Sequence, residues 1–144
     1  MSSGLEREAR RRLAGASLRR TQPRVAVLAA LLEARRPLSQ EEIAGHLRGR
    51  APNKVTIYRA LEALLRADLV HRAFLRERAW RFELADHCAK RQCHPHFTCT
   101  GCGEITCLHS IHAPLVARRH RGFVVHRQRI QLEGLCPACE ARGR

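Results

Sequence analysis

Two Cys-x-x-Cys pairs, Cys99/Cys102 and Cys136/Cys139, constrain this chain more than any other feature. Each loop sets two thiolates on one side of a tight turn. Two such loops together make the tetrahedral sulfur cage that Zn²⁺ prefers, with Zn–S bonds of about 2.3 Å. Gly101 and Gly103 frame the first pair and Pro137 lies inside the second, residues that let a knuckle turn close. A disulfide framework is the competing use of the same cysteines. The chain opens Met-Ser-Ser-Gly-Leu-Glu-Arg-Glu with no apolar signal segment, so a cytoplasmic location with reduced thiols is expected. The spacing then favours a structural zinc that is part of the fold.

A chain of 144 residues makes one domain or two very small ones. Its net charge of +14 points to a polyanionic partner, most simply nucleic acid. Residues 1–83 carry 18 Lys/Arg against 9 Asp/Glu, and residues 84–144 carry 9 against 4. Four thiolates and one Zn²⁺ would offset part of the second excess, so the basicity belongs mainly to the N-terminal half. A GC-rich coding bias explains Arg in place of Lys but not the imbalance against acids. All seven cysteines lie after residue 87, which separates a nucleic-acid half from a metal half. No apolar run approaches the roughly 18 residues of a membrane span, and no membrane partner is expected.

Residues 5–14 read as a short basic helix or arm. Thr21-Gln22-Pro23-Arg24 opens a second helix, with Thr21 as N-cap, Pro23 in the first turn, and Val25, Leu28, Leu31 and Leu32 on one face. Ser39-Gln40-Glu41-Glu42 is a capping box ahead of Ile43, Ala44 and Leu47. Asn53 caps a longer helix running to about Ala67, with Ile57, Leu61, Leu64 and Leu65 as its core stripe. Three short helices with tight connections form a helix-turn-helix unit. Leu69–Arg72 and Trp80–Leu84 alternate as a two-stranded wing, with the charged segment Phe74–Ala79 as its tip. Residues 85–93 read as a hinge loop. Strands are expected at Phe97–Cys99, Ile105–Leu108 and Phe123–Leu132, with a helix near 112–121. The domains expected are 1–84 for DNA binding, 85–93 as hinge, and 94–144 for dimerisation and metal binding.

The outward residues of the third helix are Lys54, Thr56, Tyr58 and Arg59. Arg can bond guanine edges in bidentate fashion, Tyr and Thr can touch thymine methyls, and Lys neutralises phosphate. Arg19 and Arg20, ahead of the second helix, are placed to reach phosphates or a narrow minor groove. The bland alternative is a solvated basic face. The single Tyr of the chain, set beside Arg59 in mid-helix, weighs against it.

Several motifs recur together and in order. They are Thr21-x-Pro23-Arg24, Leu38-Ser39-x-x-Glu42-Ile43, Thr56-Ile57-Tyr58-Arg59-x-Leu61 and Phe82-Glu83-Leu84. His94-x-His96-Phe97-x-Cys99-x-x-Cys102-Gly103 and Gly134-Leu135-Cys136-x-x-Cys139 complete the set. Over nearly the whole chain this pattern resembles the ferric uptake regulator (Fur) superfamily of bacterial metal-responsive repressors. The resemblance implies an α+β fold, with an N-terminal winged helix-turn-helix domain and a small C-terminal α/β dimerisation domain carrying the four-cysteine zinc site. It also implies a homodimer that binds AT-rich palindromic operators in double-stranded DNA when a regulatory metal is present.

His94-Pro95-His96 is a second metal signal. Imidazoles at i and i+2 on an extended segment project to the same side, and neutral His suits Zn²⁺ and Fe²⁺ alike. By the resemblance, His94, His96 and Glu83 occupy regulatory-metal positions, and His71 matches a ligand of the zinc-sensing (Zur) branch. The chain also departs from the pattern. Pro37 stands where iron and peroxide sensors often carry His, Cys107 where an acid is usual, and Ala85 where zinc sensors often carry Cys, with Cys88 as a substitute. The missing helical His argues against an oxidation-based peroxide sensor, and the extra thiols favour Zn²⁺ over Fe²⁺ as the regulatory ion. Cys93, His112 and His126 are candidates for an accessory site, although Pro95 removes one of its ligands. Cys88, Cys93 and Cys107 otherwise read as packing or oxidisable thiols.

The expected function is therefore a zinc-responsive repressor of metal-homeostasis genes and not an enzyme. An iron-responsive repressor is the alternative, followed by a peroxide or redox sensor of the same family. A zinc hydrolase built on His94, His96 and Glu83 would need an open coordination position and a shaped pocket, and nothing else in the sequence supplies one. A metal-independent zinc-ribbon adaptor would bind DNA equally well across buffered metal concentrations.

Overall fold

The computed structural model describes residues 3–47, 49, 52–87 and 94–143. The chain forms two compact units, residues 1–86 and 87–144.

In the first unit, α1 (Ser3–Gly15) buries Ala9 and Leu13 against α2 (Gln22–Ala34). α2 is buried without a break from Val25 to Leu31. The stripe read from its sequence marks only part of that surface, because α1 and α4 (Lys54–Arg66) both pack on it. Thr21 takes the N-cap position but its hydroxyl makes no cap bond, contrary to expectation; Pro23 in the first turn sets the start instead. α3 (Gln40–His46) opens with the complete capping box. Ser39 Oγ accepts the Glu42 N–H at 3.2 Å, and the Glu42 carboxylate accepts the Ser39 N–H at 2.8 Å. Asn53 Oδ1 likewise accepts the Thr56 N–H at 2.9 Å and starts α4. Leu13, Leu28, Leu31, Ile43, Ile57 and Leu64 are fully buried in one core. Each contributes about 1.5–3 kcal/mol.

The wing is an antiparallel sheet in the order β1-β3-β2, formed by β1 (Leu38–Ser39), β2 (Val70–Arg76) and β3 (Ala79–Leu84). Its tip is tighter than the sequence indicates. Phe74 is buried and pairs with Arg81, so the turn shrinks to Glu77 and Arg78, at φ 50° and 62°. Positive φ at both central residues is what a type I′ two-residue hairpin turn requires. Glu42 links α3 to the wing: its carboxylate pairs with Arg36 at 3.0 Å and with Arg81 of β3.

In the second unit, β4 (His96–Cys99) is the central strand, antiparallel to β5 (Ile105–Cys107) and parallel to β8 (Gln131–Gly134). α5 (Pro137–Ala141) follows β8. A separate hairpin joins β6 (Arg119–His120) to β7 (Phe123–Val124). The helix expected near 112–121 is absent. Pro114 lacks an N–H and disfavours helix at Ala113, and the Gln128 side chain takes up the backbone there instead. Its Oε1 accepts from Val116 N–H at 2.9 Å and its Nε2 donates to Pro114 C=O at 3.0 Å. The long strand expected over Phe123–Leu132 is likewise broken, with β7 and β8 as its two ends. The buried cluster of this unit is Cys99, Cys136 and Cys139, with Phe97 packed against them. Among the described residues this apolar core is small for a unit of 58 residues, which fits a structural role for the sulfur site.

Candidate metal centres and reading helix

The cage is assembled by backbone bonds at the end of β4. Cys99 N–H donates to Glu104 C=O and Gly103 N–H to Cys99 C=O, both at 2.8 Å, folding the first knuckle. Thr100 N–H donates to Gly134 C=O at 2.7 Å, which brings the second knuckle alongside. Cys136 is the N-cap residue of α5, and Cys139 lies one turn on. All four Sγ atoms lie within 4.8 Å of one another and none is in a disulfide. Cys102 and Cys136 Sγ are 3.8 Å apart. Bonds of 2.3 Å to a tetrahedral Zn²⁺ give a sulfur–sulfur edge of about 3.8 Å, so the donor set fits a structural zinc.

The thiols are not equivalent. Cys136 N–H donates to Cys99 Sγ at 3.2 Å. That bond, with help from the Cys102 and Gly101 backbone, brings the Cys99 pKa down to about 6. Withdrawal from water, and then the neighbouring sulfurs, push Cys139 up to about 12. A divalent cation at the centre relieves that conflict by charge neutralisation. Gly101 stands against the cage: a Cβ there would lie 3.1 Å from Cys139 Sγ and 3.2 Å from Leu135 Cδ2.

A second cluster lies in the same unit. The ligand atoms of His94, His96 and Cys107 are within 4.8 Å of one another, and both imidazoles are buried. His96 pairs with Cys107 across β4 and β5. His109 packs its ring on His94 at a centroid distance of 4.2 Å. The sequence reading missed His109, which lies in the turn just after β5, two residues beyond Cys107. In the first unit, His71 and Glu83 are a buried cross-strand pair on the wing, with His71 Nε2 3.3 Å from Glu83 Oε2. His112 and His126 are both exposed, and neither joins a ligand cluster among the described residues. Cys88 and Cys93 lie outside the described residues.

On α4, Lys54, Tyr58 and Arg59 are exposed. Thr56 is half-buried, and its hydroxyl donates to Asn53 Oδ1 at 2.9 Å, so it serves the cap. Glu62 accepts the Tyr58 hydroxyl and raises the phenol's pKa. Val55, not singled out in the sequence, is 59% exposed one turn before Arg59. Such a side chain suits a thymine methyl. Arg19 and Arg20 are exposed in the α1–α2 connection, where Arg24 Nη1 donates to Arg19 C=O at 3.2 Å.

The sequence profile described as the ferric uptake regulator family matches residues 15–132. The chain belongs to the ferric uptake regulator family. It is a metal-responsive, DNA-binding transcriptional regulator of that family, whose members are regulators and not enzymes. It is 33% identical over 131 residues to the transcriptional regulator FurA of Mycobacterium tuberculosis, spanning 86% of this chain and 84% of that protein. The Pseudomonas aeruginosa ferric uptake regulator with manganese superposes with a TM-score of 0.61 at 28% identity, covering 90% of this chain and 98% of that one. A zinc uptake regulator complexed with zinc and DNA superposes with a TM-score of 0.68 over the whole of both chains. At 24% identity that likeness speaks to the Fur-family fold alone. Among the described residues no helix is long and apolar enough to cross a membrane.

Proposed function

We propose that this Fur-family regulator is a zinc-responsive repressor of metal-homeostasis genes, acting as a homodimer on an AT-rich palindromic operator. The observation that carries the choice of ion is the buried His94–His96 pair with a thiol, Cys107, within ligand distance. Neutral imidazoles beside sulfur suit Zn²⁺ better than Fe²⁺ or Mn²⁺, which take oxygen donors more readily. Iron remains the alternative on the family's name.

In this reading Cys99, Cys102, Cys136 and Cys139 hold the structural zinc. His94 and His96 are regulatory ligands, with Glu83 and His71 contributed by the wing. When bound, the regulatory ion would supply a further link among these side chains. Its effect on operator affinity equals its differential affinity for the DNA-competent arrangement, by linkage. Arg59, Tyr58 and Lys54 read and hold the major groove, while Arg19 and Arg20 contact the backbone.

Operator affinity measured across buffered free Zn²⁺ and, without oxygen, Fe²⁺ tests this. Zinc should restore binding at the lower free concentration. The double variant His94→Ala/His96→Ala should keep one zinc per chain and lose the metal response. An unchanged response in that variant would refute the site.

A further inference from the structure

We propose that Cys107 is a thiolate ligand of the regulatory metal beside His94 and His96, and that its sulfur sets the site's preference for Zn²⁺ over Mn²⁺ and Fe²⁺. This rests on the regulatory-metal reading and adds a donor to it.

The placement of Cys107 is fixed by the sheet. It stands directly opposite His96 in the β4–β5 ladder, so both side chains leave the same face. Leu108 N–H donates to Pro95 C=O at 2.9 Å, which clamps the residue after Cys107 to the residue between the two histidines. The Cys107 sulfur and an imidazole nitrogen from each of His94 and His96 then fall within 4.8 Å of one another. A packing role accounts poorly for this cysteine. It is half-buried, and the apolar cluster of the unit consists of Cys99, Cys136, Cys139 and Phe97 without it. Nor does Cys107 serve the cage, whose four sulfurs form a separate group. The ring of His109 against His94 restrains that imidazole from a further side.

The chemistry follows from the donor type. On binding, the Cys107 thiol gives its proton to solvent and its sulfur lone pair to the cation, so each ion bound releases one proton from this residue. Two imidazoles and a thiolate form a borderline-soft set. Zn²⁺ gains from the sulfur, whereas Mn²⁺ gains little. Cys107 is in this sense a specificity residue within the site.

The test uses the full chain with its cage zinc retained, without oxygen, and Co²⁺ alone as the probe of the second site. Wild type should show sulfur-to-cobalt charge-transfer absorption on binding the second ion. Cys107→Ser should lose that band while keeping one zinc per chain and the weaker ligand-field bands of cobalt on histidine. A band that survives in Cys107→Ser, or that disappears only in Cys88→Ser/Cys93→Ser, overturns the proposal. Cobalt bound to the histidines of wild type without a charge-transfer band overturns Cys107 as ligand and leaves the regulatory site standing. No second cobalt at all overturns both.

Wild-type protein provides a measurement that needs no variant. Saturating the second site with Zn²⁺ should slow iodoacetamide alkylation of Cys107, located by peptide mass spectrometry, by at least about tenfold. An unchanged rate overturns the assignment. Cys107→Asp should lower Zn²⁺ affinity about 100-fold and change Mn²⁺ affinity by less than about threefold. Equal losses for the two ions would remove the selectivity role.

Discussion

The Sγ atoms of Cys102 and Cys136 stand 3.8 Å apart although 34 positions separate them in sequence. That is the edge of a tetrahedral zinc–sulfur site, reached by joining a β4–β5 turn to the start of a five-residue helix. Among the described residues of the second unit the only buried apolar cluster is the three cage cysteines with Phe97 against them, so the cage should hold the fold together. Cys102→Ser should release the structural zinc and abolish the cooperative unfolding of residues 87–144. The first unit, with its own core, should retain its helices. The scale is set by structural zinc sites, whose apparent binding energy reaches about 10–16 kcal/mol at neutral pH. Zinc content and far-ultraviolet circular dichroism of the variant would check both halves of the statement.

Gly101 has an ordinary backbone conformation, so its requirement is for space. An added Cβ meets Cys139 Sγ at 3.1 Å, Cys139 Cβ at 3.2 Å and Leu135 Cδ2 at 3.2 Å. Leu135 can move, but the two Cys139 atoms are held by the helix start and by any metal bound there. Gly101→Ala should weaken zinc retention by about 1–2 kcal/mol, or roughly tenfold in affinity. Competition with a chromogenic chelator would measure it, and unchanged retention would show that the knuckle yields.

Glu42 connects three parts of the first unit. It completes the capping box of α3, pairs with Arg36, and meets Arg81 of the wing. Burial lowers the Arg81 pKa, and the neighbouring Arg36 charge adds to that, so Arg81 depends on this carboxylate. Glu42→Ala should destabilise the unit by about 2–4 kcal/mol, more than a lost cap alone, because Arg81 keeps its partly buried charge unpaired. Urea unfolding of Glu42→Ala, Arg81→Met and the double variant measures the coupling. The double variant should be the more stable of the two that lack Glu42.

Local chemistry made much of this molecule legible. The capping box, the Asn53 cap, the wing strands and the four cage cysteines each depend on a few adjacent residues, and the sequence carries them openly. What failed depends on partners distant along the chain. Residues 112–121 look helical by composition, but Gln128 binds the backbone at Pro114 and Val116 and holds it extended. The wing tip was read too long because charge outweighed Phe74, which is buried and extends the β2–β3 ladder by pairing with Arg81. Thr56 faces outward on a helical wheel, yet its hydroxyl is taken by Asn53. In the second cluster the His94–His96 spacing was visible, while the pairing of Cys107 with His96 emerges only once β5 lies on β4.

The first helix is tied to the end of the wing by charge. Arg12 Nη1 donates to both Asp86 oxygens at 2.6 Å, and Arg12 Nε to Glu8 at 2.7 Å. Hydrogen bonds from Arg12 and then Arg11 hold the Glu8 pKa below its ordinary value of 4.5. A depressed carboxylate adds stability that is present above its unfolded pKa and lost as pH falls through the folded one. Glu8→Gln should therefore differ from wild type at neutral pH, and the difference should shrink as pH falls through the lowered carboxylate pKa. Because Glu8 is only half-buried, salt should shrink the difference at neutral pH. Urea midpoints at pH 7 and pH 3.5, in low and high salt, would test the sign.

Arg59 and Lys54 share the exposed face of α4, and the proposed reading gives them different roles on DNA. Arg59 stands near the exposed Val55 and Tyr58, in the part of the helix that can enter a groove, and its guanidinium can grip a guanine edge. Lys54 sits at the first turn, where its ammonium lies 3.4 Å from the exposed Glu41, a pair that a phosphate can displace at little cost. Arg59→Ala should cost about 1–3 kcal/mol at the preferred operator and relax the choice of one base pair. Lys54→Ala should weaken binding to all sequences alike and reduce the slope of log affinity against log salt by about 1. Fluorescence anisotropy on an operator and on single-base variants, repeated across salt, separates the two. If Lys54→Ala changed base preference and Arg59→Ala changed only the salt slope, the assignment of reader and anchor on this helix would be reversed.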